Sequence, residues 1–162
     1  MKIEIDYDFC QFDELSEQDQ NLIECAKAAI KNSYAKYSHF HVGAALRLHD
    51  GRVVIGANQE NAAFPSGLCA ERSAIFASQS HYPEQAIDTL AIVAHNEKGF
   101  LSDPITPCGA CRQVMLEIED RYKQTIINNN CKHTKCYGGW LTFMKNVLCR
   151  PCLLYTSDAA DE

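Results

Sequence analysis

Two short cysteine motifs constrain this chain more than any other feature. Cys69-Ala70-Glu71 follows a loop carrying Pro65 and Gly67, and Pro107-Cys108-Gly109-Ala110-Cys111 follows a second loop one strand later. Each motif opens a helix. Small residues at Ala70, Ser73, Ala74 and Ala77 suit a closely packed helix after the first, and Val114, Met115, Ile118 and Tyr122 recur at helical spacing after the second. Between them Leu90-Ala91-Ile92-Val93-Ala94 is a short continuous apolar run, the mark of an internal strand. Both motifs therefore put cysteine at a helix N-terminus, on either side of one buried strand.

Upstream, Ser16-Glu17-Gln18-Asp19 reads as a capping box. Leu22, Ile23, Ala26, Ala29 and Ile30 then give a helix one apolar face. Val42, Ala44, Leu46 and Leu48 alternate along a strand, Asp50-Gly51 favours a tight hairpin turn, and Val53-Val54-Ile55 returns. The order α-β-β-α-β-α predicts a three-layer α-β-α fold around a central mixed sheet. The regularity stops near Thr125.

Residues 108 and 111 are three apart, so on a first helical turn their side chains project to the same side. Unpaired N–H groups and the helix dipole favour thiolate at that position, and thiolate is the form that binds metal. Cys69, Cys108 and Cys111 would supply three ligands to Zn²⁺ and leave the remaining tetrahedral position to water, the catalytic arrangement. Glu71 stands two residues from a ligand and is placed to move protons to and from that water. Three thiolates leave the centre negative, and the Arg72 guanidinium donating to a ligand sulfur would offset part of that charge. A lone Cys-x-x-Cys is equally a redox pair or two buried thiols. The joint pattern Cys-x-Glu and Pro-Cys-x-x-Cys is that of zinc nucleobase deaminases, in which the glutamate is not a ligand.

Composition narrows the partners. A formal net charge of -6 over 162 residues argues against a nucleic-acid groove, which needs a basic stripe, and suits a small, weakly charged ligand. Acidic residues at Glu4 and Asp6 stand where a signal peptide would be apolar, and no segment approaches a membrane span, so the expected setting is cytoplasmic. There, nine cysteines stay reduced and either bind metal or are buried.

Four ordered stretches carry a family resemblance: Tyr37-Ser38-His39-Phe40-His41-Val42-Gly43-Ala44-Ala45, Asn58-Gln59-Glu60-Asn61-Ala62, Pro65-Ser66-Gly67-Leu68-Cys69-Ala70-Glu71-Arg72, and Pro107-Cys108-Gly109-Ala110-Cys111-Arg112-Gln113. Over residues 15–124 the chain resembles the small, homotetrameric, zinc-dependent class of cytidine deaminases. The resemblance implies one zinc per chain on Cys69, Cys108 and Cys111, with Glu71 as general acid/base. It implies substrate contacts from Phe40 (to the pyrimidine), Asn58 and Glu60 (to ribose hydroxyls) and Ala70. Without it, Asn58 is a turn residue, Glu60 a solvated loop charge and Phe40 a core residue. The implied reaction is hydrolytic deamination of cytidine or 2′-deoxycytidine in pyrimidine salvage: activated water attacks C4, while Glu71 carries protons to N3 and to the departing amino group. Rival readings are a deaminase of another aminated nucleoside, an RNA- or DNA-editing enzyme, and a non-catalytic zinc module. His39, His41 and His49 read as surface or locally bonded groups.

The resemblance ends with the periodicity. Residues 1–127 form the expected catalytic domain and 128–162 an atypical tail, in which the family's last strands, terminal helix and C-terminal aromatic are not recognisable. Cys131, Cys136, Cys149 and Cys152 have spacing loose enough for a second, structural zinc site. The favoured alternative is a shifted reading frame or foreign sequence, given the scar-like ending Leu153 to Glu162.

Overall fold

The computed structural model of the protein describes residues 11–101, 105–124 and 126. Helix α1 spans Glu17–Ala29. Ser16 caps it, its Oγ accepting from Asp19 N at 3.2 Å, which satisfies one of the N–H groups a helix start leaves open. The Asp19 carboxylate accepts the Ser16 hydroxyl at 2.8 Å and also reaches into the fold, where it meets Arg47.

Strand β1 (His41–Leu48) pairs on one side with β2 (Val53–Ala57) and on the other with β3 (Ile87–Asn96), and β3 pairs with the two-residue β4 (Gly99–Phe100). The β1–β2 hairpin turns at Asp50-Gly51, with Gly51 at φ +86°, a conformation that glycine adopts without Cβ strain. The structure adds β4, too short for any periodicity to announce. All pairings among these four strands are antiparallel. Residues 128–162 fall outside the described residues, and with them both readings of the tail, the second zinc site on Cys131, Cys136, Cys149 and Cys152 and the shifted or foreign sequence.

Side chains alternate across a strand, so β1 serves two cores. Ala45, with Ala91 and Val93 of β3, packs against Leu22, Ile23 and Ala26 of α1. Ala44, Leu46 and Leu48, with Leu90 and Ile92, pack against helices α2 (Ala70–His81) and α3 (Gly109–Tyr122) through Ala74, Ile75, Met115 and Ile118. The result is the expected three layers, α1 on one face and α2 with α3 on the other. Arg47 lies in the α1 layer, donating to Asp19 Oδ1 at 2.8 Å and Thr89 Oγ1 at 2.8 Å.

Two glycines set how close the helices come. A Cβ at Gly56 would stand 2.4 Å from Ala74 N and 2.5 Å from Ala70 O, and one at Gly43 would stand 2.0 Å from Ala26 O. The backbone of α2 rests directly on β2, which places the start of that helix, and Cys69 before it.

Candidate active site

Cys69 is the N-cap of α2 and Cys108 the N-cap of α3, both with extended backbone and neither using its side chain to cap. Their sulfurs are thereby left for other partners. Because both helices pack on one face of the sheet, their N-termini converge. Cys69 Sγ lies 3.7 Å from Cys108 Sγ, Cys108 Sγ lies 3.4 Å from Cys111 Sγ, and all three sulfurs fall within 4.8 Å of one another. Thiolates at about 2.3 Å from a tetrahedral zinc stand about 3.8 Å apart, so the donor set and its spacing fit that ion.

Cys69 and Cys111 are shifted in opposite directions. Cys69 is pulled down to about 5 by hydrogen bonding from the Cys111 thiol and then from the Arg72 guanidinium. Cys111 is pushed far up by the Cys69 sulfur beside it and by burial. Arg72 Nη2 donates to Cys69 Sγ at 3.5 Å, one helical turn on from the cysteine. Glu71 is only 6% exposed. Burial raises its carboxyl above the ordinary value, and the neighbouring Cys69 charge raises it further. Arg112 Nε donates to Pro107 O at 2.9 Å and steadies the loop that delivers Cys108.

Beside the sulfurs opens a cavity of about 740 Å³, lined among others by Tyr37, Asn58, Glu60, Phe64, Cys69 and Cys108. Its wall is a segment that pairs on both sides: Gln59 bridges Tyr34 in parallel and Leu68 in antiparallel fashion. This stretch carries Asn58 and Glu60 from the sheet to the cysteine loop. Asn58 Oδ1 accepts from Val42 N at 2.8 Å and from Ser33 Oγ at 2.5 Å, and its Nδ2 donates to Phe40 O at 2.9 Å. Glu60 Oε2 accepts from Tyr37 N at 2.7 Å, while the Ser38 hydroxyl donates to its Oε1. The Ser38 hydroxyl, followed by the Tyr37 amide, holds the Glu60 carboxyl below its ordinary value. Phe40, Ala70 and Glu71 are not among the residues lining this cavity. Phe40 is half-buried, and Ala70 is buried as the first residue of α2.

A model of the cytidine and deoxycytidylate deaminase zinc-binding region matches residues 16–127. The chain belongs to this family. Among curated relatives of the deaminase family, the cytidine deaminase of Halalkalibacterium halodurans is 44% identical over 99 residues, covering 61% of this chain and 70% of that protein. That of Sporosarcina psychrophila is 43% identical over 98 residues, covering 60% and 68%. The crystal structure of the cytidine deaminase from Burkholderia pseudomallei superposes with a TM-score of 0.54 at 42% identity, covering 63% of this chain and 76% of that one.

Some parts of this deaminase-family site had no signal in the sequence. Ser38 lies within the Tyr37 to Ala45 stretch, where the pattern gives it no role, and the structure makes its hydroxyl and amide partners of Glu60. Ser33 belonged to no motif, yet it reaches Asn58 across 25 residues. Tyr37 and Phe64 line the cavity and are exposed, at 55% and 91%. An aromatic in a loop reads as an ordinary surface residue until the chain path brings it to a cavity wall.

Proposed function

We propose that the protein hydrolyses cytidine, 2′-deoxycytidine or both to the corresponding uridine and ammonia. The observation that carries this is the convergence of three thiols within 4.8 Å, beside buried Glu71 and at the edge of a cavity whose wall presents Asn58 and Glu60. Zinc, when bound, supplies the Lewis acidity that makes water nucleophilic near neutral pH.

The chain's own residues do the rest. Glu71 takes the proton that water loses as its oxygen bonds to C4 and delivers it to ring N3. It takes a second proton from the new C4 hydroxyl and gives it to the amino group, which leaves as ammonia when the C4–N bond breaks. Burial suits it to this exchange, since a carboxyl raised above its ordinary value both accepts and returns a proton readily. Arg72 draws charge from Cys69 through its 3.5 Å contact. Asn58 and Glu60 bind the sugar hydroxyls, Phe40 faces the pyrimidine, and Ala70, at the first helical position, offers a main-chain N–H that the helix leaves unpaired.

Residues 1–127 are the catalytic domain in this proposal and 128–162 an appended segment, supported by the end of the family match at residue 127. Reading the nucleotide sequence across that junction in all three frames tests it. Among the described residues no helix is long and apolar enough to cross a membrane, and the expected setting is cytoplasmic, with self-association as a homotetramer.

The activity is tested by following cytidine absorbance with and without a chelator. Glu71→Gln is expected to retain zinc and lose turnover by at least about 100-fold, the scale of a positioned acid/base. Near-normal activity in that variant would sink the role given to Glu71.

A further inference from the structure

A hydrogen-bond chain with one direction runs beside the cavity. Val42 N donates to Asn58 Oδ1 at 2.8 Å, and Asn58 Nδ2 donates to Phe40 O at 2.9 Å. A main-chain N–H only donates and a main-chain carbonyl only accepts, so these two contacts fix which end of the carboxamide is oxygen. Ser33 Oγ stands 2.5 Å from that oxygen. Facing an acceptor, the hydroxyl commits its single proton there. His41 Nδ1 is 3.0 Å from Ser33 Oγ. With the hydroxyl proton committed, Nδ1 has to carry a proton of its own and donate it. Polarity therefore runs from His41 to Ser33 to Asn58.

Three separate segments meet in this chain. Ser33 follows the 3-10 turn at Ile30–Asn32, His41 is the first residue of β1, and Asn58 leads out of β2. The Asn58 oxygen has both its acceptor positions filled, and one N–H of Nδ2 remains over.

We propose that Ser33 and His41 are positioning residues for substrate: acting in series, they hold the Asn58 carboxamide so that its remaining N–H is presented to the cavity as a donor to a sugar hydroxyl. This rests on Asn58 being a sugar-binding residue. Without the Ser33 hydroxyl, Asn58 Oδ1 keeps only the Val42 contact, and ordering the amide against substrate costs more. The sugar is remote from the C4 amino group, so the loss falls on binding and leaves the chemical step alone.

The experiment compares cytidine with 2′,3′-dideoxycytidine, which lacks both ring hydroxyls, in wild type, Ser33→Ala, Ser33→Thr, His41→Val and His41→Asn. For cytidine, Ser33→Ala is expected to raise KM by about 2- to 12-fold, the span of one net hydrogen bond, with kcat unchanged. For the dideoxy substrate, KM is expected to stay at the wild-type value. Ser33→Thr, which keeps a hydroxyl, and His41→Asn, which keeps a donor near the Nδ1 position, should restore cytidine binding, whereas His41→Val should follow Ser33→Ala. Equal KM changes for both substrates, a change in kcat alone, or no change in a folded variant overturns the proposal. If Ser33→Ala does not fold, His41→Val carries the same comparison. Wild type tests the underlying reading separately: no turnover of cytidine removes the assigned reaction, and no preference for cytidine over the dideoxy substrate removes the sugar role of Asn58. Wild-type preference with indifferent variants removes only the roles of Ser33 and His41.

Discussion

Replacing Gly56 with alanine should weaken metal binding although the residue touches no sulfur. The added methyl would stand 2.4 Å from Ala74 N and 2.5 Å from Ala70 O, both main-chain atoms of α2, where ordinary contact begins near 3.4 Å. The helix has to retreat from β2 by about 1 Å, a packing strain of roughly 1–3 kcal/mol. Cys69 is the N-cap of that helix, so it shifts with it and the 3.7 Å spacing to Cys108 is disturbed. Metal sites tolerate ligand distances within about 0.2 Å. Disturbing the groups that orient ligands typically costs about 10- to 100-fold in metal affinity, and a displacement of this size costs up to about 100-fold in rate. Gly43→Ala supplies the control. Its methyl would stand 2.0 Å from Ala26 O, an overlap at least as severe, but against α1, which holds none of the three cysteines. Gly43→Ala should therefore lower the melting temperature while leaving the zinc affinity of the folded protein within about 2-fold, as expected for distant sites. Competition with a chromophoric chelator, alongside circular-dichroism melts, reads both quantities. Equal zinc loss in the two variants, or wild-type zinc affinity in a destabilised Gly56→Ala, would refute the placement of the triad by helix-on-strand contact.

Two further perturbations address the scaffold. The Asp19–Arg47 pair is 2.8 Å long with side chains 9% and 12% exposed, so Asp19→Leu alone should cost about 3–5 kcal/mol by urea unfolding, while Asp19→Leu with Arg47→Met should recover most of it. Burial raises the Glu119 carboxyl above its ordinary value of 4.5, and its Oε1 accepts from Ile126 N at 2.8 Å. A folded-state pKa raised in this way gives stability that is full below the ordinary value and lost as pH rises through the folded one. Glu119→Gln, which keeps an acceptor and no charge, should match wild type in acid and melt higher at neutral pH; a difference that grows in acid would refute the sign.

Local features were legible because they depend on short-range geometry. The Ser16 cap, the Asp50-Gly51 turn and the apolar stripe of α1 each arise within a few residues. Contacts between distant segments left no such trace. Arg47 reaches Asp19 across 28 residues and Thr89 across 42, and nothing in the period of β1 marks a charged residue as belonging in a packed layer. Ser38 and Glu60, 22 residues apart, form the same kind of pairing at the cavity.

By itself the sequence determined the chemistry each half of the site offers. Cys69 with Glu71, and Cys108 with Cys111, sit within one helical turn of each other, and helical geometry alone decides how such neighbours project. Only the tertiary structure decided that the halves meet, because the 3.7 Å gap between Cys69 and Cys108 exists only once α2 and α3 pack on the same face of one sheet. It also decided how much hydrogen-bonding capacity Asn58 and Glu60 keep for a ligand. Most of that capacity is taken by residues 33–42, and those bonds depend on the path of the chain, which no local period records.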